Sequence, residues 1–248
     1  MVIDCHTHIV DDTDESLAEL LTAADMSCID KICICSLGRE WAEFPSAGHL
    51  QQAARDILSA CDKYPDRFVG GVYLSTDHTH TSLELLEQCV ADGPCRFIKL
   101  WISQYVDDPR LSPVIERAIE LDTPILAHTW VKATGNMTRE SSCFNVPAVA
   151  QRYPAMKLWM AHASGRWEEA ARVVKPYPNI AMDVSGGEPE SGIVECLLRH
   201  IPPDRVFFGS DAPCRNVAVQ MSKVLSANLD ARSRDLILGE AVRGWLHV

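Results

Sequence analysis

The sequence predicts an α/β domain, a single (β/α)8 TIM barrel over residues 1–248. Three observations carry that expectation. Eight short apolar runs recur along the chain with helical patterns between them, and such alternation builds right-handed βαβ units around a parallel sheet. The length of 248 residues matches the roughly 250 that eight units occupy. No glycine-rich GxGxxG turn follows the first run, which removes the chief sign of a doubly wound open sheet.

The strands are expected, in order, at residues 2–6 (VIDCH), 31–36 (KICICS), 68–74 (FVGGVYL), 97–101 (FIKLW), 124–128 (PILAH), 158–163 (LWMAHA), 180–184 (IAMDV) and 206–210 (VFFGS). Each is a short segment rich in β-branched, aromatic or cysteine side chains. Amphipathic patterns at 15–26, 50–61, 83–90, 113–121, 167–174 and 193–199 supply helices between them. Ser112 before Pro113 is a start signal, and the Tyr64-Pro65 and Tyr177-Pro178 steps are stop signals. Residues 131–145 form a long polar stretch, a candidate lid.

The net charge is −11 and no basic run reaches five residues, which argues against a nucleic-acid partner or an anionic membrane surface. Nothing approaches the 18 or so uninterrupted apolar residues of a membrane span. The opening MVIDCHTHIV lacks the pattern of a secretory signal. The ten cysteines form no CxxC pair, and several lie inside apolar runs. They read as free thiols of a cytoplasmic protein. The expected partner is a small-molecule substrate, and a homo-oligomer is compatible with the sequence.

In a barrel the chemistry gathers at the C-terminal ends of the strands. Read in that order, the runs deliver His6 and His8, Lys99, His128, His162 and Asp211. Residues two apart on a strand share a face, so the His6 and His8 imidazoles stand about 7 Å apart along the chain on one side. A cation about 2.0–2.1 Å from each nitrogen fits between them. Lys99 alternates in phase with Phe97 and Trp101; aimed inward it is either a buried cation paired with Asp4 or Asp211, or a neutral amine able to take up CO₂ as a carbamate. Asp4 and Asp183 are weaker candidates for supporting the ligands. A second HxH, His78-Thr79-His80, sits in a Ser/Thr/Asp-rich segment and reads as a solvated turn.

The opening IDCHTH, the IKL of the fourth strand, LAHT of the fifth, AHASG of the sixth and FGSDAP near the end together resemble the amidohydrolase superfamily, and most nearly its shorter, amidohydrolase-related (type 2) branch. The terminal DLILGEAVRGWL resembles that branch's closing helix, with Glu240 where the family usually has Asn. The resemblance covers essentially the whole chain. It implies a divalent metal, zinc foremost, as one or two ions at the C-terminal face of the barrel. It further implies His6, His8 and His128 as ligands and Asp211 as ligand and proton acceptor. His162 would be a ligand of a second ion or a catalytic residue, and Lys99 a carboxylated bridge or an unmodified cation. With one ion, His6, His8, His128 and Asp211 surround it.

A metal-bound water ionises near pH 7, so the expected activity is hydrolysis of an amide, ester or lactone, with Asp211 and His162 as catalytic residues. The alternative is metal-dependent decarboxylation or related lyase chemistry on a small unsaturated or aromatic carboxylic acid. For either, Arg39, Lys132 and Arg166 are candidate carboxylate partners, and Trp41, Trp101, Trp130 and Trp167 are candidate walls of an apolar pocket.

Overall fold

The structure is a computed structural model that describes residues 1–188 and 190–248. Its strands are β1 (Ile3–His8), β2 (Lys31–Cys35), β3 (Phe68–Leu74), β4 (Cys95–Leu100), β5 (Ile125–Ala127), β6 (Leu158–Met160), β7 (Ile180–Asp183) and β8 (Val206–Phe207). All neighbours pair in parallel, in the order β1 to β8. Bonds from Cys5 N to Phe208 O and from Asp211 N to His6 O then draw β8 back to β1 and nearly close the barrel.

Helices α1 (Asp14–Met26), α2 (Ala47–Lys63), α3 (Thr79–Leu86), α4 (Ser112–Glu120), α5 (Val146–Arg152), α6 (Trp167–Val174) and α7 (Ile193–Leu198) return the chain between strands, and α8 (Val217–Leu225), α9 (Ala231–Asp235) and α10 (Ala241–Leu246) follow the last one. Several starts are capped by side chains: Thr13 accepts from Ser16 N, and Ser46 shares a reciprocal capping box with His49. Ser112 does not cap as its position before Pro113 suggests. The chain enters α4 directly from a 3₁₀ turn at Pro109–Leu111, and Asp108 caps that turn by accepting from Arg110 N. The sequence places the end of the first strand two residues early and that of the sixth three late, because the first continues to His8 and the sixth stops at Met160.

Two apolar clusters hold the fold. One lies between the outward faces of the strands and the helices, where residues such as Ile34, Leu50, Ile98, Val146 and Val206 are buried. The other fills the barrel: Cys33, Cys35, Val69, Phe97, Leu126, Trp159, Ala181 and Phe207 point inward from successive strands. Phe97 lies flat across β3, where a Cβ on Gly71 would come within 2.1 Å of its ring. Ala241, Val242 and Leu246 of α10 pack onto this inner cluster and stop its N-terminal end. The opposite end carries the polar side chains.

The cysteines are free, eight of them buried, with Cys28 and Cys214 exposed. Among the described residues no helix is long and apolar enough to cross a membrane.

Candidate active site

Local irregularities aim the ligands. Ile3 and Cys5 already occupy the barrel interior, so plain alternation would turn His6 and His8 outward. The β1–β2 register shifts between Asp4 and Thr7, and this change of phase lets His6 and His8 face the axis too. Bulges beside active sites re-aim side chains in this way. After β6, His162, Ala163, Ser164 and Gly165 all adopt positive φ (62°, 43°, 60° and 66°), a left-handed turn that carries His162 inward. Asp211 has φ 63°. Non-glycine residues in this region are strained by about 1–3 kcal/mol each and concentrate at functional sites.

Asp183, at the end of β7, organises the centre. Its Oδ2 lies 3.0 Å from His6 Nδ1, while its Oδ1 accepts from the His162 and Ser185 backbone N–H groups at 2.8 and 3.0 Å and from Ser185 Oγ at 2.6 Å. Ser185 Oγ and O lie 3.0 and 3.2 Å from His162 Nδ1. His8 Nδ1 faces Cys35 Sγ at 3.3 Å. Each of these three imidazoles therefore has its Nδ1 engaged by the protein.

One donor atom each from His6, His162 and Asp211 lies within 4.8 Å of the others. His8 Nε2 is 3.5 Å, and His6 Nε2 3.9 Å, from Asp211 Oδ1. Imidazoles fixed at one nitrogen by the protein, with the other turned toward a carboxylate, are the usual surroundings of a divalent ion. The residues fit such an ion in chemistry and in burial.

The electrostatics follow the same layout. Burial opposes charge on Asp211, yet the His162, His8 and His6 rings hold its carboxyl well below the usual carboxylate range. Burial pushes His162 well below the ordinary imidazole value, and burial followed by the Lys99 charge lowers His6 to about 4. His8 moves the other way, up to about 9, because Cys35 and Asp211 outweigh its burial. Lys99, 1% exposed, places Nζ 2.7 Å from His6 Nε2, so it stands inside the cluster. Asp4 lies beneath, accepting from Ser210 N at 2.8 Å.

His128 departs from the expected arrangement. Its Nε2 is turned 2.9 Å from Glu140 Oε1, although its ring still packs 5.1 Å from that of His162. Glu140 comes from the long loop 131–145. It is buried, pairs with Lys132 Nζ at 2.8 Å and accepts from Met137 N at 2.8 Å. The neighbouring Arg139 fastens the same loop to Asp77 and to Ser103 O. Lys132 is thus committed to Glu140. The second HxH stays apart, with exposed His80 beside Glu84 at 3.2 Å.

Trp41 packs on His8 with ring centroids 5.0 Å apart and meets Trp101 edge-on at 6.2 Å. Trp130 lies 4.9 Å from His162 and stacks along His128 at 6.2 Å. Indoles therefore pack against three of the histidines, Trp41 on His8 and Trp130 on His128 and His162. The arginines are less central: Arg39 is exposed on the loop after β2, and Arg166 is exposed and paired with Glu169 at 2.8 Å.

An eight-stranded parallel barrel with a histidine–aspartate cluster at the carboxyl ends of its strands is the architecture of a metal-dependent barrel enzyme. The amidohydrolase family model matches residues 3–243, and the chain belongs to this family. No curated protein matches it. Among solved structures the fold is similar to a dihydroxybenzoic acid decarboxylase from Polaromonas sp. JS666 with bound manganese and 2-nitroresorcinol (TM-score 0.80, 16% identity, 99% of this chain and 96% of that one). It is also similar to a putative amidohydrolase from Staphylococcus aureus (0.81, 14%, 100% and 99%). A 4-oxalomesaconate hydratase from Rhodopseudomonas palustris aligns at TM-score 0.74 with 16% identity over 100% of this chain and 96% of that one.

Proposed function

We propose that the protein is a divalent-metal-dependent lyase that decarboxylates a small, planar, hydroxylated aromatic or unsaturated acid. The observation that carries this reading is the set of indoles packed against the cluster, Trp41 on His8 with Trp101 beside it and Trp130 on His162, where His6, His8 and His162 are buried and Asp211 is half-buried. Flat apolar walls with a few convergent polar groups suit a planar ring. Decarboxylases of dihydroxybenzoates and 5-carboxyvanillate recur among the structures that share the fold, which supports the choice over hydrolysis.

His6, His8, His162 and Asp211 would hold the ion, with His128 available once its Nε2 leaves Glu140. The ion, zinc or manganese, would supply a Lewis acid for the substrate's oxygens. The chain's own residues do the rest. Asp211 Oδ1 takes the substrate's hydroxyl proton and returns it to the carbon that bears the carboxylate. The bond from that carbon to the carboxylate then breaks, CO₂ leaves, its electron pair restores the conjugated ring, and solvent reprotonates the hydroxyl. The indoles exclude water from the ring, and Asp183 with Ser185 keeps the imidazoles oriented. Lys99 stands beside His6, and were it to take up CO₂ it would add an anionic oxygen ligand to the set that would hold the metal.

Hydrolysis of an ester, amide or lactone is the second reading. The fold's likeness to a putative amidohydrolase supports it, and in that reading Asp211 would take its proton from water. Incubation of manganese- or zinc-loaded protein with salicylate and dihydroxybenzoates in D₂O separates the two. Decarboxylation releases CO₂ and leaves one deuterium on the former carboxyl-bearing carbon. Turnover of lactones or esters with no CO₂ from any acid would overturn the proposal.

A further inference from the structure

We infer that Arg215, on the loop after β8, is the residue that grips the substrate's carboxylate. This inference rests on the reading of the substrate as a carboxylic acid. The protein carries a net charge of −11, and Asp183, Asp211 and Glu140 add fixed negative charge at the centre. An acid entering this site therefore needs a cation with free donors at the entrance.

Five arginines lie on loops that follow the strands. Arg110 is held by Asp108 and Asp77, Arg139 by Asp77 and Ser103 O, and Arg166 by Glu169. Arg39 lines neither of the two cavities that border the histidines. Arg215 lines both. One is a space of about 470 Å³ beside His8; the other, of about 220 Å³, is bounded by His162, Ser185, Trp130 and Trp167.

The Arg215 backbone N–H donates to Asp211 O at 3.1 Å, which ties the residue's position to the proposed proton carrier. Its guanidinium donates only from Nη1 to Cys214 O at 3.1 Å and forms no ion pair among the described residues. That leaves a planar edge with the geometry of a bidentate carboxylate grip.

The other charged groups that line the smaller cavity are already engaged or face solvent. Lys223 Nζ donates to Val184 O and Gly186 O at 2.8 and 2.6 Å. Glu190 accepts from Trp167 Nε1 at 2.7 Å, and Glu188 is exposed. An acid lying between Trp130 and Trp167 thus meets one free cationic fork, with His162 at its far end.

The test is calorimetric binding of salicylate and 2,6-dihydroxybenzoate, against the corresponding neutral amides, to manganese-loaded protein. Wild-type protein is expected to bind the acids at least about tenfold more tightly than the amides, a typical size for a charge-assisted bidentate pair. Arg215→Met should bring acids and amides within about twofold. Arg215→Lys should recover part of the preference, since a point charge replaces the fork. Arg152→Met, an exposed change on α5, should leave the preference intact.

An undiminished preference in Arg215→Met, or no preference in the wild type, would overturn the assignment. The reading of the reaction fails separately: preference lost with Arg215, but no CO₂ released from any bound acid, refutes decarboxylation and leaves the anion grip standing.

Discussion

Replacing Glu140 by Gln tests how the loop 131–145 is held over the centre. The carboxylate receives His128, Lys132 and the Met137 N–H at 2.8–2.9 Å, and its side chain is only 1% exposed. The amide keeps an acceptor for Met137 but gives up the negative charge that two cationic or polarised partners face. Breaking a fully buried pair costs about 3–5 kcal/mol. Lys132 is 31% exposed and regains water, so the loss falls to about 2–3 kcal/mol. For a domain of this size each kcal/mol shifts the melting temperature by about 2–4 °C, giving an expected fall of about 4–12 °C. Scanning calorimetry of the metal-loaded protein reads it, and limited proteolysis should show faster cleavage within 131–145. Lys132→Met should lose less, because the His128 and Met137 contacts survive. A melting temperature within about 1 °C of wild type, with unchanged cleavage, would refute the role given to Glu140.

Gly186→Ala should cripple turnover while leaving the fold intact, because a Cβ there comes 2.4 Å from His162 Nδ1 at φ +64°; near-normal kcat would show that His162 needs no fixed orientation. Asp211→Asn should lower kcat by about 10²-fold or more, the usual size of an acid–base contribution, while part of the metal remains by elemental analysis; unimpaired turnover would move the proton to His162. Native protein should expose two thiols to a labelling reagent, Cys28 and Cys214, and all ten after denaturation without reductant, and mass spectrometry finding a native disulfide would contradict this. Burial holds Lys223 down at about 8 from 10.5, so between those pH values the unfolded chain keeps a proton that the folded protein has lost, and stability should rise with pH by at most about 3 kcal/mol. Lys223→Met should flatten that rise, and parallel melting curves for both proteins would exclude it.

The barrel was legible because its signals are local and repeated: each apolar run is short enough to be a strand and is followed by a helical period. The cluster was legible because strand ends converge at one rim, so His6, His8, Lys99, His162 and Asp211 could be grouped without coordinates. What escaped depends on backbone detail. Nothing in IDCHTH shows the register shift that turns His6 inward beside Cys5, and AHASG gives no warning of four successive left-handed residues. Glu140 carries no pattern at all; it is one acid in a polar loop, and only tertiary packing brings it to His128. Arg215 had a usable signal, its place four residues after Asp211, whereas Arg39 and Arg166 followed other strands equally closely.

The spatial separation of the aromatic floor from the polar rim has an evolutionary consequence. Phe97, Trp159 and Phe207, stopped by α10, anchor the barrel at the end remote from Asp211 and the histidines. A heritable change in a rim loop therefore alters which molecules enter without disturbing the packing on which folding depends. Lineages descending from such a barrel can exchange loops, trade one acid for another or abandon one chemistry for a neighbouring one, and each intermediate still folds. Drift is penalised at the floor, where Gly71 leaves no room beside Phe97, and tolerated at the entrance, so ancestry is recorded in the floor while livelihood is written in the loops.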